Sequence, residues 1–286
     1  MTENERAARN KKIAHVVMWV VLLLLFFCFI FPFFLVIINA FKSKADITAA
    51  PLALIGRHGF TLKNFPEAMK KMNFWTVFGN SLIITVSATV LTILVSSMNA
   101  FVIVRNNWKF CTIIFSLMIA SMVIPFQVLM VPLVSVYGGM LRVLNHRITL
   151  ILMHVGFSVS MAMFMFHGAI KTNIPLALEE AATIDGCTRW QTWWKVVFPL
   201  LKPTIATVGI INAMAYWNDY LLPSLVLTKK NLYTIPIATQ AFYGTYSTDI
   251  GLIMAALLLA MLPILILYVF LQRYIVEGVA SGAVKG

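Results

Sequence analysis

Residues 180–203 read EAATIDGCTRWQTWWKVVFPLLKP. This stretch combines acidic, basic and tryptophan side chains, yet it follows the uncharged residues 148–170 and precedes residues 203–228, whose only charge is Asp219. Each flanking segment is long enough to cross a bilayer, which takes about 20 apolar residues. The order apolar, charged, apolar predicts two membrane spans joined by a folded connection, which we call the charged loop (residues 171–202).

The composition of the whole chain is that of a membrane protein. Hydrophobic residues make up 60% of its 286 residues and charged residues 11%, whereas a soluble domain carries about a quarter charged. Only a helix satisfies its own backbone in lipid over one apolar segment. We therefore predict an all-α membrane protein with six spans. The predicted spans are residues 14–41, 78–104, 110–132, 149–170, 203–223 and 250–272.

Charge distribution suggests an orientation for these spans. Four basic residues precede the first span, whose apolar run is longer than the core of a cleavable signal peptide. Basic residues favour the cytoplasmic side. We expect a multi-pass protein with both termini in the cytoplasm, as a 1–12 tail and a 273–286 tail around a 13–272 transmembrane domain. The charged loop then also lies in the cytoplasm.

Local signals divide the charged loop into two short helices. Asn173 is the expected N-cap of a helix over residues 175–184, with Pro175 in its first turn. Glu179 and Glu180 would then lie in the middle of its exposed surface.

The turn between the two helices has its own signals. Asp185-Gly186 should end the first helix, because glycine adopts the left-handed conformation that follows a C-cap. Thr188 and Gln191 form a T-x-x-Q capping box for the second helix, which Pro199 must end or kink. The alternative is an amphipathic linker lying in the membrane interface, anchored by Trp190, Trp193 and Trp194.

Several kinds of site are missing from the sequence. No glycine is followed by lysine, so a GxxxxGK[ST] phosphate loop is excluded, and neither HExxH nor GxSxG occurs. The five histidines show no metal-ligand spacing; His154 and His167 are interpreted as core or interface residues, with a proton relay as the alternative. We predict a chain that is not an enzyme and holds no cofactor or metal. The net charge of +12 mostly reflects basic residues that flank the ends of the spans, and it does not indicate binding to nucleic acid.

The charged loop resembles the EAA loop of ABC importer permeases. Glu180-Ala181-Ala182 is followed after three residues by Gly186, after nine more by Val196, and then by Phe198-Pro199. The family usually has Ile and Leu where this chain has Val196 and Phe198, and these are apolar replacements. Further similarity to the sugar-uptake group, and within it to the second permease of maltose-type importers, lies in WNDY (217–220), LYTIP (232–236), Asn80-Ser81 and the C-terminal LQRY and GAVKG.

The resemblance implies a type I importer permease fold over residues 13–272, with cytoplasmic coupling helices, in a bacterial or archaeal cytoplasmic (inner) membrane. It also implies several partners. These are a second, homologous permease, a dimer of ATPase subunits that holds the ATP and Mg²⁺, an extracytoplasmic sugar-binding protein and membrane lipid. In the family the loop receives the movement of the ATPase: Glu180 would pair with a basic residue there, and Gly186 would allow close approach of the two short helices. The coupling residues carried over are Glu180, Ala181, Ala182, Asp185, Gly186 and Pro199.

Two outer regions are candidate transport sites. A carboxylate within a span is costly to bury, so Asp219, with Trp217, Asn218 and Tyr220, either lines the substrate path or makes structural hydrogen bonds. Residues 231–248 are uncharged but aromatic, which predicts a segment folded against the bundle, with Gly244 supplying a turn. In the family the corresponding loop reaches the binding protein; the alternative is a lid packed only on its own helices. The possible contacts are Gln240, Phe242, Tyr243, Gly244 and Tyr246.

The resulting functional prediction is import of a sugar or oligosaccharide by alternating access, driven by a separate ATPase. A permease for glycerol-phosphate or another polyol is the first alternative. An ion-coupled secondary transporter is the second, although such a protein would be expected to show weak internal repeats, broken helices near the midplane and ionisable coupling residues.

Overall fold

The structure is a computed structural model that describes residues 3–106, 108–245 and 249–283. The described residues form helices and turns without any β-strand, which confirms the all-α prediction. In chain order the helices are α1 (Glu3–Ala40), α2 (Lys44–Ala49), α3 (Asn64–Met72), α4 (Phe74–Arg105), α5 (Lys109–Ser121), α6 (Phe126–Leu133), α7 (Arg147–Asn173), α8 (Leu176–Ile184), α9 (Arg189–Thr192), α10 (Phe198–Leu200), α11 (Lys202–Asn218), α12 (Leu221–Val226), α13 (Ile235–Thr245) and α14 (Ile250–Ala283).

Three helices are long and apolar enough to cross a membrane, and they overlap the first predicted span and contain the second and fourth. They are Asn10–Ala40, Phe74–Arg105 and Arg147–Asn173. Two bent helix pairs raise the number to as many as five if each pair is one span. The sixth predicted span, 250–272, lies within the 34-residue helix α14. The structure therefore supports three to five spans by length and composition.

The third and fifth predicted spans are not single straight helices. In the third, α5 and the segment Phe126–Met140 meet at 96°, and α6 continues into a π-helical turn, Val134–Met140. In the fifth, α11 ends at Asn218 and α12 begins at Leu221. Prolines explain both interruptions, because Pro125 and Pro223 lack the N–H that a continuous helix would use.

The chain divides into two compact units, one formed by residues up to 72 with 242–261 and the other by 73–241 with 262–286. The larger unit is built on α4 and α7. Small and hydroxyl side chains line the buried face of α4 and let the two helices approach closely; they include Ser81, Thr85, Ala88, Thr92, Ser96 and Ala100. Around this pair lie two apolar clusters. One contains Leu150 and Tyr216, and the other contains Phe166 and Trp193.

The smaller unit is ordered by polar groups after α1. The Lys42 ammonium is 1% exposed and donates to Asn39 Oδ1 at 3.1 Å. Burial lowers the pKa of Lys42, and the nearby charge of Asp46 opposes this effect. Asp46 is also buried and accepts from Ser43 Oγ at 2.8 Å, while its Oδ1 lies 3.0 Å from His58 Nδ1. Burial alone would raise the pKa of Asp46, but these hydrogen bonds outweigh it and hold the pKa below its usual value.

Candidate functional site

The turn in the charged loop has the predicted structure. Gly186 adopts a φ of +80°, its N–H donates to Thr183 O at 3.0 Å, and the Cys187 N–H donates to Ala182 O at 2.9 Å. This pair of bonds is a Schellman motif that closes α8. The capping box of Thr188 and Gln191 that begins α9 is also confirmed, with both reciprocal bonds present.

Two details of the predicted loop are wrong. Asn173 is the last residue of α7, and the N-cap of α8 is Pro175. The residue before a proline avoids the helical conformation, so the helix is interrupted at Ile174. The expected break at Pro199 lies at Leu201 instead: the helical segment runs through Pro199 to Leu200 and meets α11 at 78°.

An ion pair joins the charged loop to the end of α4. Arg105 Nε and Nη2 each lie 2.7 Å from Glu179 Oε1, and Nη2 also donates to Ile174 O at 2.8 Å. Arg189 of α9 donates to Asn106 Oδ1 at 3.1 Å. The prediction that Glu179 lies mid-surface is wrong, since its side chain is only 10% exposed. Both short helices are therefore tied to the last turn of α4.

Beside this ion pair, α8 and α9 present an exposed surface that is partly apolar. Ile184 is 86% exposed, Leu176 54% and Trp190 59%, and these residues line a hollow of about 700 Å³ that Glu180 also borders. We call this set of four residues the docking face. Such a contiguous apolar patch on a folded loop marks an interaction surface.

The remaining coupling candidates divide between the surface and the core. Ala181, Asp185, Gly186 and Pro199 are exposed, whereas Ala182 is buried. A Cβ built on Gly186 would find nothing within 4 Å, so this glycine is required for its positive φ and not for close approach of the helices. The tryptophans do not act together as an interfacial anchor: Trp193 is 2% exposed in the core, and Trp190 and Trp194 are surface residues.

A second site, the polar cavity, has a volume of about 660 Å³ and lies where the third and fifth predicted spans are interrupted. Met122 and Ile124 come from the break between α5 and α6, and Asn218 and Asp219 from the break between α11 and α12. Non-helical backbone at membrane depth is tolerated where it lines such a cavity. The other lining residues are Ser121, Phe126, Leu129, His154, Gly156, Phe157, Ser158, Ser160, Ala215, Tyr216, Leu221 and Leu222.

The four predicted path residues do not share one position. Asn218 and Asp219 line the polar cavity. Trp217 is 5% exposed and packs edge-on against Phe78 with ring centroids 5.8 Å apart. Tyr220 is exposed and does not border the cavity. Only the central pair of the WNDY motif is therefore placed to meet a solute.

His154 is a cavity residue that the sequence did not single out as a ligand. Its Nδ1 lies 3.9 Å from Asp219 Oδ2, its ring packs at 4.5 Å on Tyr216, and its buried Nε2 has no hydrogen-bond partner in the described structure. His167, the other histidine of α7, stacks on Phe115 instead. No group of three or more His, Cys, Asp or Glu among the described residues could hold a metal.

The predicted binding-protein segment is folded, as expected, but as a helix. Asn80 Nδ2 donates to Asn231 O at 3.0 Å and to Tyr233 O at 2.9 Å, and Ser81 Oγ accepts the Ile235 N–H at 2.8 Å to begin α13. The expected turn at Gly244 is wrong because α13 continues through it to Thr245. Gln240 is exposed and Phe242 is buried, while Tyr246 lies outside the described residues and the side chain of Tyr243 is not described.

Comparison with known proteins gives the family. The model of the family described as "Binding-protein-dependent transport system inner membrane component" matches residues 92–281. The chain is 38% identical over 257 residues to the "Probable starch degradation products transport system permease protein AmyC" of Thermoanaerobacterium thermosulfurigenes, covering 89% of this chain and 91% of that protein. It is 33% identical over 255 residues to the "Melibiose/raffinose/stachyose import permease protein MelC" of Bacillus subtilis (strain 168), with the same coverage of 89% and 91%.

Solved structures agree on the fold. A chain of a bacterial ABC transporter involved in the import of the acidic polysaccharide alginate superposes with a TM-score of 0.78 at 20% identity, covering 93% of this chain and 98% of that one. At this identity the likeness establishes the fold alone. With the family match and the relatives, it shows that the chain belongs to the inner-membrane permeases of binding-protein-dependent ABC transport systems, in the group of sugar importers, and is a transport subunit with no enzymatic role.

Proposed function

We propose that this chain carries a sugar or oligosaccharide inward through the membrane by alternating access, and that a separate ATPase drives it through the charged loop. The observation that carries the proposal is the docking face, because Leu176, Ile184 and Trp190 remain exposed around Glu180 on a loop outside the long spans. A short helix that presents apolar side chains fits a groove of a partner. That partner is an ATPase dimer that holds the ATP and Mg²⁺.

The ion pair supplies the mechanical connection. A sideways movement of α8 would pull on Arg105 through Glu179, with N–O distances of 2.7 Å. A buried charge pair resists separation because each partner would be left desolvated. The movement is therefore transmitted to α4 and to α7, which packs along it, and the bundle changes the side to which it opens.

The membrane arrangement that we propose has six spans. To the three long helices and two bent pairs it adds α14, whose apolar part Ile250–Ile266 is shorter than a full span by itself but continues to Ala283. Both termini and the charged loop then lie in the cytoplasm. The partners are a second, homologous permease and an extracytoplasmic binding protein, which Gln240 and the rest of α13 would contact.

The sugar assignment rests on relatives and cavity chemistry together. Relatives are named for starch degradation products and for melibiose, raffinose and stachyose. The polar cavity has no Lys or Arg among its lining residues, and this argues against glycerol-phosphate, since phosphate is usually held by such cations. A neutral polyol remains the second candidate.

The docking face is tested by separating coupling from assembly. In purified transporter reconstituted into liposomes, Glu180→Ala and Ile184→Asp should abolish ATP-dependent sugar uptake while the permease pair still inserts. Lys195→Ala is the control, because Lys195 is exposed on the same loop but does not border the docking face. Normal uptake by both docking-face variants would disprove the proposal.

Orientation is tested at Cys187, which is half-buried in the charged loop. After replacement of Cys28 and Cys111, a membrane-impermeant maleimide should label Cys187 in inside-out vesicles and not in intact cells, and bound ATPase should slow the labelling. Labelling from outside the cell would reverse the topology.

The binding-protein contact is tested by photo-crosslinking. A benzophenone residue at Gln240 or Tyr243 should capture the binding protein when ATP hydrolysis is blocked by vanadate, and one at the exposed Lys230 serves as the control. Crosslinks only to the two permeases would establish the lid alternative.

A further inference from the structure

The polar cavity is formed by two interrupted helices rather than by a gap in side-chain packing. The break of 96° between α5 and α6 and the break at Asp219 between α11 and α12 both border it. Discontinuous helices near a cavity are the usual way in which transporters present polar groups to a solute. The shared position of the two breaks indicates that the cavity is a site.

The polar cavity carries a negative charge that no cation among its lining residues balances. Asp219 is the only Asp, Glu, Lys or Arg among the residues that line it, and its side chain is 27% exposed. One carboxylate oxygen, Oδ1, accepts the Leu221 N–H at 2.9 Å and so begins α12. The other oxygen, Oδ2, faces His154 Nδ1 at 3.9 Å, a distance longer than a hydrogen bond. The carboxylate is fixed by the fold on one side and has acceptor capacity on the other.

His154 is held rigidly beside this carboxylate. Tyr216 packs against its ring, donates to the His154 carbonyl at 3.4 Å, and shares a hydrogen bond of 2.9 Å with Thr92 Oγ1. The imidazole nevertheless lacks a partner at Nε2. Because Nε2 is closed to solvent, the nitrogen that a solute in the cavity would meet is Nδ1, which faces Asp219 Oδ2 across 3.9 Å. Buried polar groups are normally paired, and a hydroxyl that contacts both groups would complete their hydrogen bonding.

We infer that this subunit itself binds the transported solute in the polar cavity, at a subsite where Asp219 and His154 hydrogen-bond the hydroxyls of a neutral saccharide and exclude an anionic one. Ser158 and Asn218 supply further hydroxyl and amide groups, and Phe126 and Phe157, packed edge-to-face at 5.2 Å, supply an apolar wall. A few polar groups set in an apolar wall are what orients a small ligand. This inference rests on the proposed sugar import.

The negative charge decides the class of saccharide. A carboxylate accepts strongly from hydroxyl donors, but it repels a second carboxylate, and no Lys or Arg lines this cavity to compensate. The cavity is therefore suited to uncharged sugars such as starch or galactoside fragments. It is not suited to a polymer of uronates, because the carboxylates of that polymer would be repelled by Asp219.

The electrostatic part is tested by thiol chemistry that needs no transport. With Cys28, Cys111 and Cys187 replaced by serine, Ser158→Cys places one thiol on the cavity wall. The cationic reagent 2-(trimethylammonium)ethyl methanethiosulfonate should modify it about tenfold faster than the anionic 2-sulfonatoethyl methanethiosulfonate, relative to free cysteine. Asp219→Asn should remove that preference, and the matched control Asp249→Asn should keep it. Asp249 also caps a helix, at Leu252 N, but does not border the cavity.

The binding part is tested in the reconstituted transporter with its binding protein at saturation. Maltotriose, raffinose and arabinotriose are first screened for ATP-dependent uptake by the native transporter. A sugar that it carries is then used with the variants. Asp219→Asn and His154→Gln should lower uptake about tenfold, because the first replaces a charge-assisted hydrogen bond to the sugar by a neutral one and the second removes the hydrogen bond of the imidazole. ATP hydrolysis stimulated by the loaded binding protein should stay within about twofold. The control His167→Gln, on the same helix, should leave uptake unchanged. The carried sugar should also slow modification of the cysteine at position 158.

The two proposals fail in different ways. Normal uptake by Asp219→Asn and His154→Gln, or equal reactivity of the two thiol reagents, would overturn the subsite and leave sugar import standing. Parallel loss of uptake and of assembled complex would show a purely structural role for both residues and would also overturn it. A native transporter that carries none of the three sugars would overturn sugar import, and the subsite with it.

Discussion

Glu179 and Asp219 are both acids beside helix ends in the larger unit, but the protein treats their charges in opposite ways. Glu179 is 10% exposed, and its Oε1 is paired with both Nε and Nη2 of Arg105 at 2.7 Å. Asp219 is 27% exposed, has no Lys or Arg partner among the residues that line its cavity, and is 3.9 Å from the nearest imidazole nitrogen. A paired acid fixes one geometry, whereas an acid with spare acceptor capacity can exchange partners. The first suits transmission of force and the second suits recognition of a solute that must later leave.

The largest expected effect on this comparison comes from removing Arg105, the cation that is paired with Glu179. Arg105→Ala leaves Glu179 buried without a partner, and the free energy of unfolding should fall by about 3 kcal/mol, since an unpaired buried charge is costly. Thermal unfolding of the purified transporter, followed by tryptophan fluorescence, measures this. The double variant Arg105→Ala, Glu179→Ala should recover part of the loss.

The control for this effect is an exposed ion pair in the same chain. Lys71 and Glu67 are paired across one turn of α3, with side chains 31% and 51% exposed. Exposed pairs contribute at most about 1 kcal/mol, so Lys71→Ala should change the unfolding temperature little. Equal losses for Arg105→Ala and Lys71→Ala would show that the Glu179 pair is not structurally special.

The geometry that positions the paired acid is tested at Gly186. Gly186→Val forces a β-branched residue to a φ of +80°, at a cost of about 1–3 kcal/mol, and should separate α8 from α9. ATP-dependent uptake should fall more than tenfold while membrane insertion persists. Gly168→Ala is the control, because Gly168 lies in α7 with open space around its Cα. Unimpaired uptake by Gly186→Val would remove the turn from the transmission path.

In the charged loop, sequence patterns predicted the local turns but not the distant ion pair. The Schellman turn at Gly186 and the capping box at Thr188 and Gln191 were predicted correctly, because both depend on residues within a few positions of each other. The partner of Glu179 was missed, because Arg105 lies 74 residues away and nothing local connects the two.

The polar cavity shows the same limit at a larger scale. The interruptions of the third and fifth spans were missed because hydropathy measures how apolar a segment is and not whether its helix is continuous. Pro125 and Pro223 were the available signals. The importance of Asp219 could be inferred from its cost in a span, but its neighbour His154 comes from α7 and is brought there only by packing.

A third acid, Asp46, sharpens the comparison through pH. Its hydrogen bonds hold its pKa below the ordinary 3.8, so the ionised carboxylate stabilises the folded loop at every pH above that value and the stabilisation is lost only as pH falls through the lowered folded pKa. Limited proteolysis of residues 43–61 in right-side-out vesicles should therefore proceed at the same rate at pH 7 and pH 5. Asp46→Asn should raise the rate equally at both values, and a native rate that climbed between pH 7 and pH 5 would contradict the assignment.

The smallest expected effect is that of Asp219→Asn on stability. An asparagine oxygen can accept the Leu221 N–H as Asp219 Oδ1 does at 2.9 Å, and asparagine caps helices as well as aspartate does. The side chain keeps its size, and no Lys or Arg lining the cavity is left without a partner. The free energy of unfolding of the transporter should therefore change by no more than about 1 kcal/mol, which is much less than the loss expected for Arg105→Ala. The unfolding temperature measures this change. A loss as large as that of Arg105→Ala would mean that Asp219, like Glu179, serves the fold, and that its negative charge is not held for a solute.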